Sequence, residues 1–105
     1  MKKTTFGALA ALLFQVTILF HSDPNPLKVG TNKFEVLVKD GKKEVKDAEV
    51  TVVFGTSTVP LKYRAAGIYR GSGEITTAGD GVVTVVVKRD GREVATRRLT
   101  VAVKP

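Results

Sequence analysis

Few side chains in this sequence are able to do covalent or metal chemistry. It has no cysteine, and its one histidine and one methionine are His21 and Met1. Soft and borderline metals need thiolate, thioether or imidazole ligands, and a nucleophilic serine needs a neighbouring base. The sequence therefore predicts no catalytic residue, no metal site and no cofactor.

Carboxylates are the remaining candidates for acid–base work, and their positions indicate other roles. Three aspartates immediately precede a glycine: Asp40, Asp80 and Asp90. Aspartate followed by glycine is typical of tight turns. Glu44, Glu49 and Glu93 neighbour basic residues, which is typical of solvent-exposed positions. We interpret these carboxylates as turn and surface residues.

The N-terminus has the pattern of a targeting segment. Lys2 and Lys3 precede residues 4–20, which carry no charge and are mostly apolar. A short basic region followed by an apolar run is typical of a secretory signal. We expect residues 1–22 to be a hydrophobic helix, either a cleaved signal peptide or an uncleaved membrane anchor, with His21 at the membrane boundary. Both alternatives place the following domain outside the cytoplasmic membrane.

The rest of the chain has strand periodicity. In residues 33–39, Phe34, Val36 and Val38 alternate with polar side chains, and turn signals recur about every ten residues. No segment after the leader has helical periodicity. We predict an all-β, immunoglobulin-like antiparallel β-sandwich of about seven strands in residues 33–105, after a proline-containing linker and first short strand in residues 23–32.

Several finer predictions concern single segments. Pro60 identifies a weak strand at residues 59–63 as a sheet edge, residues 78–81 have a turn sequence, and the valine-rich run 82–87 is typical of a strand buried on both faces. Gly71 and Gly73 indicate bulging or close backbone approach. The last hairpin turns at residues 90–91, and a β-bulge within residues 95–97 would bring Leu99 opposite Val83.

One set of glycine, turn and strand positions resembles the YtkA-like domain family. These positions are Pro26, Gly30, Asn32, Phe34, Asp40, Gly41, Ala48, Val50, Gly67, Tyr69 and Gly79. The resemblance implies an extracytoplasmic β-sandwich in proteins linked to respiratory-oxidase maturation or heavy-metal export. Members often have a methionine-rich stretch before the Gly-x-Tyr motif and a tryptophan after the Ala-Gly turn. This chain has no methionine in residues 55–66, which counts against a metal-handling chaperone, and it has Val82 at the tryptophan position.

The leading functional hypothesis is a protein-binding or accessory module of the cell envelope. Strand addition to an exposed edge is one way in which such a module recognises a partner. The candidate edge consists of Val59, Leu61, Tyr63 and Arg64. Tyr69 is expected to be buried with its hydroxyl bonded to the backbone. The expected partner is an envelope protein, and membrane contact is expected only through the N-terminal segment.

The net charge of +7 motivates an alternative. Basic residues are scattered, without the run of five or more that is typical of a nucleic-acid-binding arm, so we expect no nucleic acid partner. A structural or adhesive module could instead bind acidic wall polymer or glycan. The candidate anion-binding residues are Lys42, Lys43, Lys46, Arg89, Arg92 and Arg98.

Overall fold

The computed structural model describes residues 16–105, which form an all-β, antiparallel architecture without a helix in that range. The predicted N-terminal helix lies mostly outside the described residues. The strands are β1 (Val16–Asp23), β2 (Gly30–Asp40), β3 (Lys43–Glu44), β4 (Glu49–Phe54), β5 (Ser57–Ala65), β6 (Ile68–Ile75), β7 (Gly79–Arg89) and β8 (Arg92–Val103).

The strands are arranged in two layers that share β5. Their order is β1-β2-β6-β5-β4-β7-β8, and the two-residue β3 pairs with β2. We call the layer of β1, β2, β6 and the C-terminal half of β5 sheet I. Sheet II consists of the N-terminal half of β5 with β4, β7 and β8. At the other side of the molecule β1 lies beside β8, where the Arg97 guanidinium donates a 2.8 Å hydrogen bond to the Ile18 carbonyl.

The core is built from the inward-facing residues of both sheets, as the alternation predicted. Phe34, Val36 and Val38 of β2 are buried, and so are Val50 and Val52 of β4. Each such side chain contributes about 1.5–3 kcal/mol when it leaves water completely. These buried residues belong to one hydrophobic cluster, which therefore joins the two sheets.

The valine-rich run of β7 is buried on one face only, so the prediction of burial on both faces was wrong. Val83, Val85 and Val87 are fully buried, whereas Val82 is 39% exposed and Val86 is half-buried. No further layer covers the outer face of sheet II in the described chain. Valine here satisfies the strand preference for β-branched residues even where its side chain meets solvent.

The β7–β8 hairpin confirms the predicted turn and register. Asp90 and Gly91 have φ angles of 53° and 77°, as a type I′ turn requires at both central positions. Val83 pairs with Leu99, so the return strand has the extra residue that this register needs.

The extra residue lies closer to the turn than residues 95–97. Its flanking pairs are Lys88–Glu93 and Val87–Ala95. Val94 is therefore the bulged residue, and the predicted location was wrong. Val94 and Ala95 are both half-buried, because the bulge lets two consecutive side chains contact the core.

Strand β5 is the edge strand of each sheet in turn, so the edge predicted at residues 59–63 is divided between the two sheets. Residues 57–61 pair with β4, and residues 62–65 pair with β6. Pro60 cannot donate a backbone hydrogen bond. It is accommodated where β5 leaves one sheet for the other, because only one side of this half-strand is paired.

Gly71 and Gly73 lie where β5 passes over β6. Close backbone approach is confirmed at Gly71, where an added Cβ atom would lie 3.2 Å from the Pro60 carbonyl oxygen. A Cβ atom at Gly71 would lie 2.7 Å from a methyl carbon of Leu61, and one at Gly73 would lie 2.7 Å from a methyl carbon of Val59. Such distances are too short for non-bonded carbons. A larger residue at either position would therefore require these side chains or β5 to shift.

The predicted turn at residues 78–81 was also wrong, because β7 begins at Gly79 and the connection is residues 76–78. A Cβ atom at Gly81 would lie 2.9 Å from two ring carbons of Phe54. Gly81 is therefore a strand residue that leaves room for the Phe54 ring. A glycine needed for packing looks the same in the sequence as a glycine needed for a turn.

The sheet begins before the predicted domain boundary. Residues 16–22, which sequence analysis assigned to the leader, belong to β1 and pair along their whole length with β2. Ile18 is 4% exposed and Ser22 is 6% exposed. An apolar run of this length suits a strand as well as the end of a hydrophobic segment, and the alternating burial of β1 identifies it as a strand here.

The predicted linker, residues 23–32, contains the last residue of β1, the connection 24–29 and the first three residues of β2. Residues 24–26 form the bend, and Lys28 then makes a parallel bridge with Lys104 beyond β8. Asn32 is fully buried, and its amide donates to the carbonyls of Lys28 and Gly30 while accepting from the Lys28 N–H. One side chain thus forms hydrogen bonds with polar backbone groups of the connection between β1 and β2.

Asn32→Ala is expected to destabilise the fold by about 2–3 kcal/mol, because it leaves backbone groups of Lys28 and Gly30 without their partners. Urea unfolding followed by circular dichroism measures the change. The control is Asn25→Ala, at an exposed asparagine, with an expected change below about 0.5 kcal/mol. Equal stability of the two variants would contradict the role given to Asn32.

A chain that begins at residue 23 is expected to unfold at a lower urea concentration than one that begins at residue 16. Loss of β1 removes buried Ile18, worth about 1.5–3 kcal/mol, and exposes one edge of β2. Urea midpoints measured side by side test this expectation. Identical midpoints would show that β1 contributes nothing to the fold.

Candidate functional site

A concavity of about 620 Å³ crosses the outer face of sheet I. We call it the sheet I groove. Each of its four strands contributes polar or charged side chains to the lining: His21 and Asp23 from β1, Lys33 and Glu35 from β2, Arg70 and Ser72 from β6, and Lys62 and Arg64 from β5. Strand alternation exposes these residues, since their neighbours Phe34 and Tyr69 face the core.

Cross-strand register arranges the groove side chains in rows. His21 pairs with Glu35, Glu35 with Arg70, and Arg70 with Lys62, so that one row spans all four strands. A second row passes from Asp23 through Lys33 to Ser72. The groove is therefore mostly acidic or neutral at its β1 side and basic at its β5 side.

The basic side of the groove has more cations than local carboxylates to pair with them. Arg70 Nε donates to Glu35 Oε2 over 2.7 Å. In the described part of the chain, Lys33, Lys62 and Arg64 have no carboxylate oxygen within 4.0 Å. Lys62 lies directly across from Arg70, and like charges in such positions repel each other.

A β-bulge presents Arg64 at this side. The pairing of β5 with β6 shifts between Tyr63 and Ala65, which makes Arg64 the extra residue. Bulges re-aim side chains next to the regular ladder. Here the bulge adds a third cation beside Lys62 and Arg70.

The predicted partner-binding edge does not exist as one surface. Leu61 is buried, Val59 is half-buried, and Tyr63 is 37% exposed. The ring of Tyr63 packs edge-on against Tyr69, with ring centres 5.2 Å apart. Of the four residues, only Arg64 lines the groove. Val59 and Leu61 belong to the half of β5 that pairs with β4, whereas Tyr63 and Arg64 belong to the half in sheet I.

The predicted anion-binding set is also divided in the structure. Arg89 lies between two carboxylates, 3.2 Å from Asp47 and 3.8 Å from Asp40. Arg98 is on the outer face of sheet II, opposite Thr84. Lys42, Lys43, Lys46 and Arg92 are exposed in or beside the turns and loops around Arg89. Charge-pattern reasoning missed Lys33, Lys62 and Arg70, whose proximity depends on strand order.

Tyr69 is a buried tyrosine whose hydroxyl bonds to the backbone of the loop between β3 and β4. Its ring is 1% exposed, and its hydroxyl donates to the Val45 carbonyl over 2.8 Å and accepts from the Ala48 N–H over 3.2 Å. Burial raises the pKa of Tyr69, and the hydrogen bond from Ala48 opposes that increase. The predicted burial and backbone bonding are confirmed, and they hold the loop between β3 and β4 against the core.

The described residues contain no group of three or more histidine, cysteine or acidic side chains placed to hold a metal ion. His21 lies on β1 opposite Glu35, at the groove wall. Within residues 16–105 no helix has the length and apolar character needed to cross a membrane.

No family model and no curated protein matches this chain. Functional inference therefore depends on the residues and their arrangement.

Tyr69→Phe is expected to lower stability at pH 7 by about 1–3 kcal/mol, because the Val45 carbonyl and the Ala48 N–H lose their partner. In the parent chain the raised pKa of Tyr69 means that the unfolded state loses the phenol proton first as pH rises above 10. The stabilisation is complete below pH 10 and is lost as pH rises through the folded-state pKa.

Urea midpoints at pH 7, 9, 10 and 11 measure this linkage. The stability difference between the parent chain and Tyr69→Phe should narrow above pH 10. Tyr63→Phe is the control, because its hydroxyl makes only a 3.4 Å contact with the Gly67 N–H. A difference that stays constant through pH 11 would contradict the linkage.

Proposed function

We propose that this chain is an exported, non-catalytic binding module of the cell envelope, and that it contacts a partner protein through the sheet I groove. The observation that carries the proposal is the groove itself, an open concavity whose basic side has cations without local carboxylate partners. Export is supported by the sequence pattern of residues 1–15, in which Lys2 and Lys3 precede an uncharged, mostly apolar run. The accessory role is supported by the resemblance to the YtkA-like domain family.

We further propose that the fold is of immunoglobulin type. Its support is the strand arrangement, in which β1, β2, β6 and part of β5 form one sheet and β4, β7 and β8 form the other. A β-sandwich with this division and a strand that changes sheets is typical of immunoglobulin-like domains. In that class, function depends on surface residues and not on the fold itself.

The absence of catalysis is proposed from side-chain chemistry. The groove has one histidine, His21, which lies across from a carboxylate and beside no cysteine. Glu35 is ion-paired with Arg70, and Asp23 lies across from Lys33, so both carboxylates have a basic neighbour that favours the charged form. A role in metal handling has no support beyond the family resemblance.

Binding of acidic wall polymer has less support than binding of a protein. Two of the six cations proposed for it are not available to a shared site, since Arg89 is paired with carboxylates and Arg98 lies on the outer face of sheet II. A polymer with regularly spaced charges is bound best by a continuous basic strip.

Site-specific photocrosslinking tests the proposal. Because the sequence has no cysteine, Ser72→Cys introduces a single thiol within the groove for a photoreactive label. Thr100→Cys introduces one on the outer face of sheet II, where Thr100 pairs with exposed Val82. The labelled chains are added to envelope fractions and irradiated.

We expect one discrete protein adduct from the label at Ser72→Cys, identified by mass spectrometry, and at least ten-fold less of it from Thr100→Cys. Equal adduct yields from the two positions, or no protein adduct from Ser72→Cys, would rule out the groove as the binding surface.

A further inference from the structure

We propose that the sheet I groove recognises a short acidic peptide segment, with a side-chain carboxylate of the partner held among Lys62, Arg64 and Arg70. This inference rests on the proposed function, because it assigns a ligand class to the same groove. The described residues supply both its charge pattern and its dimensions.

Lys62, Arg64 and Arg70 have one carboxylate partner among the three of them. Only Arg70 has a carboxylate partner, Glu35, and the Arg70 side chain is still 56% exposed. Lys62 lies across from Arg70 in the neighbouring strand, and Arg64 is close to Lys62 along β5. An incoming carboxylate relieves this repulsion, and a guanidinium can bind it through two parallel N–H donors.

The other side of the groove discriminates among acidic ligands. Asp23 and Glu35 line it together with the cations. A polyphosphate or acidic glycan that carries charge on every unit would place anions next to these two carboxylates. A peptide can present carboxylates to the β5 side and an amine or backbone N–H groups to the β1 side, so charge complementarity favours a protein segment.

The dimensions of the groove suit a peptide of a few residues. Its volume of about 620 Å³ lies within the range of roughly 300–1,000 Å³ that is usual for small-ligand sites. Four adjacent strands span about 14 Å at roughly 4.8 Å per step, and an extended peptide covers that distance in about four residues. The probe peptides are designed to this length.

The test uses the full chain, labelled with ¹⁵N, and titration by two-dimensional NMR. The probe is an acetylated tetrapeptide of lysine, glycine and two glutamates with an amidated C-terminus, and its comparison replaces both glutamates by glutamine. We expect saturable shifts centred on the amides of residues 62, 64, 70 and 72 with the glutamate peptide, and at least ten-fold weaker binding of the glutamine peptide.

Matched charge reversals separate a site from general attraction to a basic protein. Lys62→Glu combined with Arg64→Glu should weaken glutamate-peptide binding at least ten-fold. Lys42→Glu combined with Lys43→Glu makes the same change in net charge at exposed residues in and beside the turn between β2 and β3. This variant should change the affinity for the glutamate peptide less than two-fold. Urea midpoints confirm folding of both variants, and Lys62→Gln with Arg64→Gln replaces the first pair if it fails to fold.

Several outcomes would overturn the inference. Equal weakening by the two reversals would mean general electrostatic attraction, and tighter binding of inorganic polyphosphate than of the glutamate peptide at the same amides would mean a polyanion site. Absence of shifts at the groove would exclude an acidic ligand there. If Ser72→Cys still yields its adduct in that case, only the ligand class is wrong; if it does not, the proposed function fails as well.

Discussion

The position of β5 between β6 and β4 is the constraint on which the architecture depends. Its first half belongs to sheet II and its second half to sheet I, so a single strand connects the two layers through the backbone. Gly71 and Gly73 leave room for that connection, since a Cβ atom at either position would lie 2.7 Å from a methyl carbon of Leu61 or Val59. The hydrophobic core can close between the sheets because β5 passes close to β6.

The same crossing creates the surface that we propose as functional. Once β5 has joined sheet I, Lys62 lies in register with Arg70, and the bulge presents Arg64 beside them. Repulsion among these groups opposes folding slightly, and only Arg70 is compensated by Glu35. Proteins retain such locally unfavourable charge arrangements mainly at sites of function, where a ligand supplies the missing counter-charge.

Two buried polar side chains hold the irregular segments against this framework. Asn32 forms hydrogen bonds with backbone groups of the connection between β1 and β2. The Tyr69 hydroxyl does the same for the loop between β3 and β4. A chain without disulfides has to hold its loops by such contacts. Both side chains lie on the core face of sheet I. They therefore hold the loops without covering the outer face, where the groove is open to solvent.

Sequence alone was sufficient wherever the physics is local. Alternation with a period of two identified Phe34, Val36 and Val38 as core, Asp90-Gly91 identified a type I′ turn because both positions tolerate positive φ, and the need to keep Leu99 opposite Val83 required a bulge. Tertiary structure decided which strands are neighbours. It placed residues 16–22 in β1, divided residues 59–63 between the edges of two sheets, and brought Lys62, Arg64 and Arg70 together. Which strands become neighbours depends on packing between residues far apart in the sequence. Several strands have similar valine-rich faces, so a short stretch of sequence does not show which strand will pair with which.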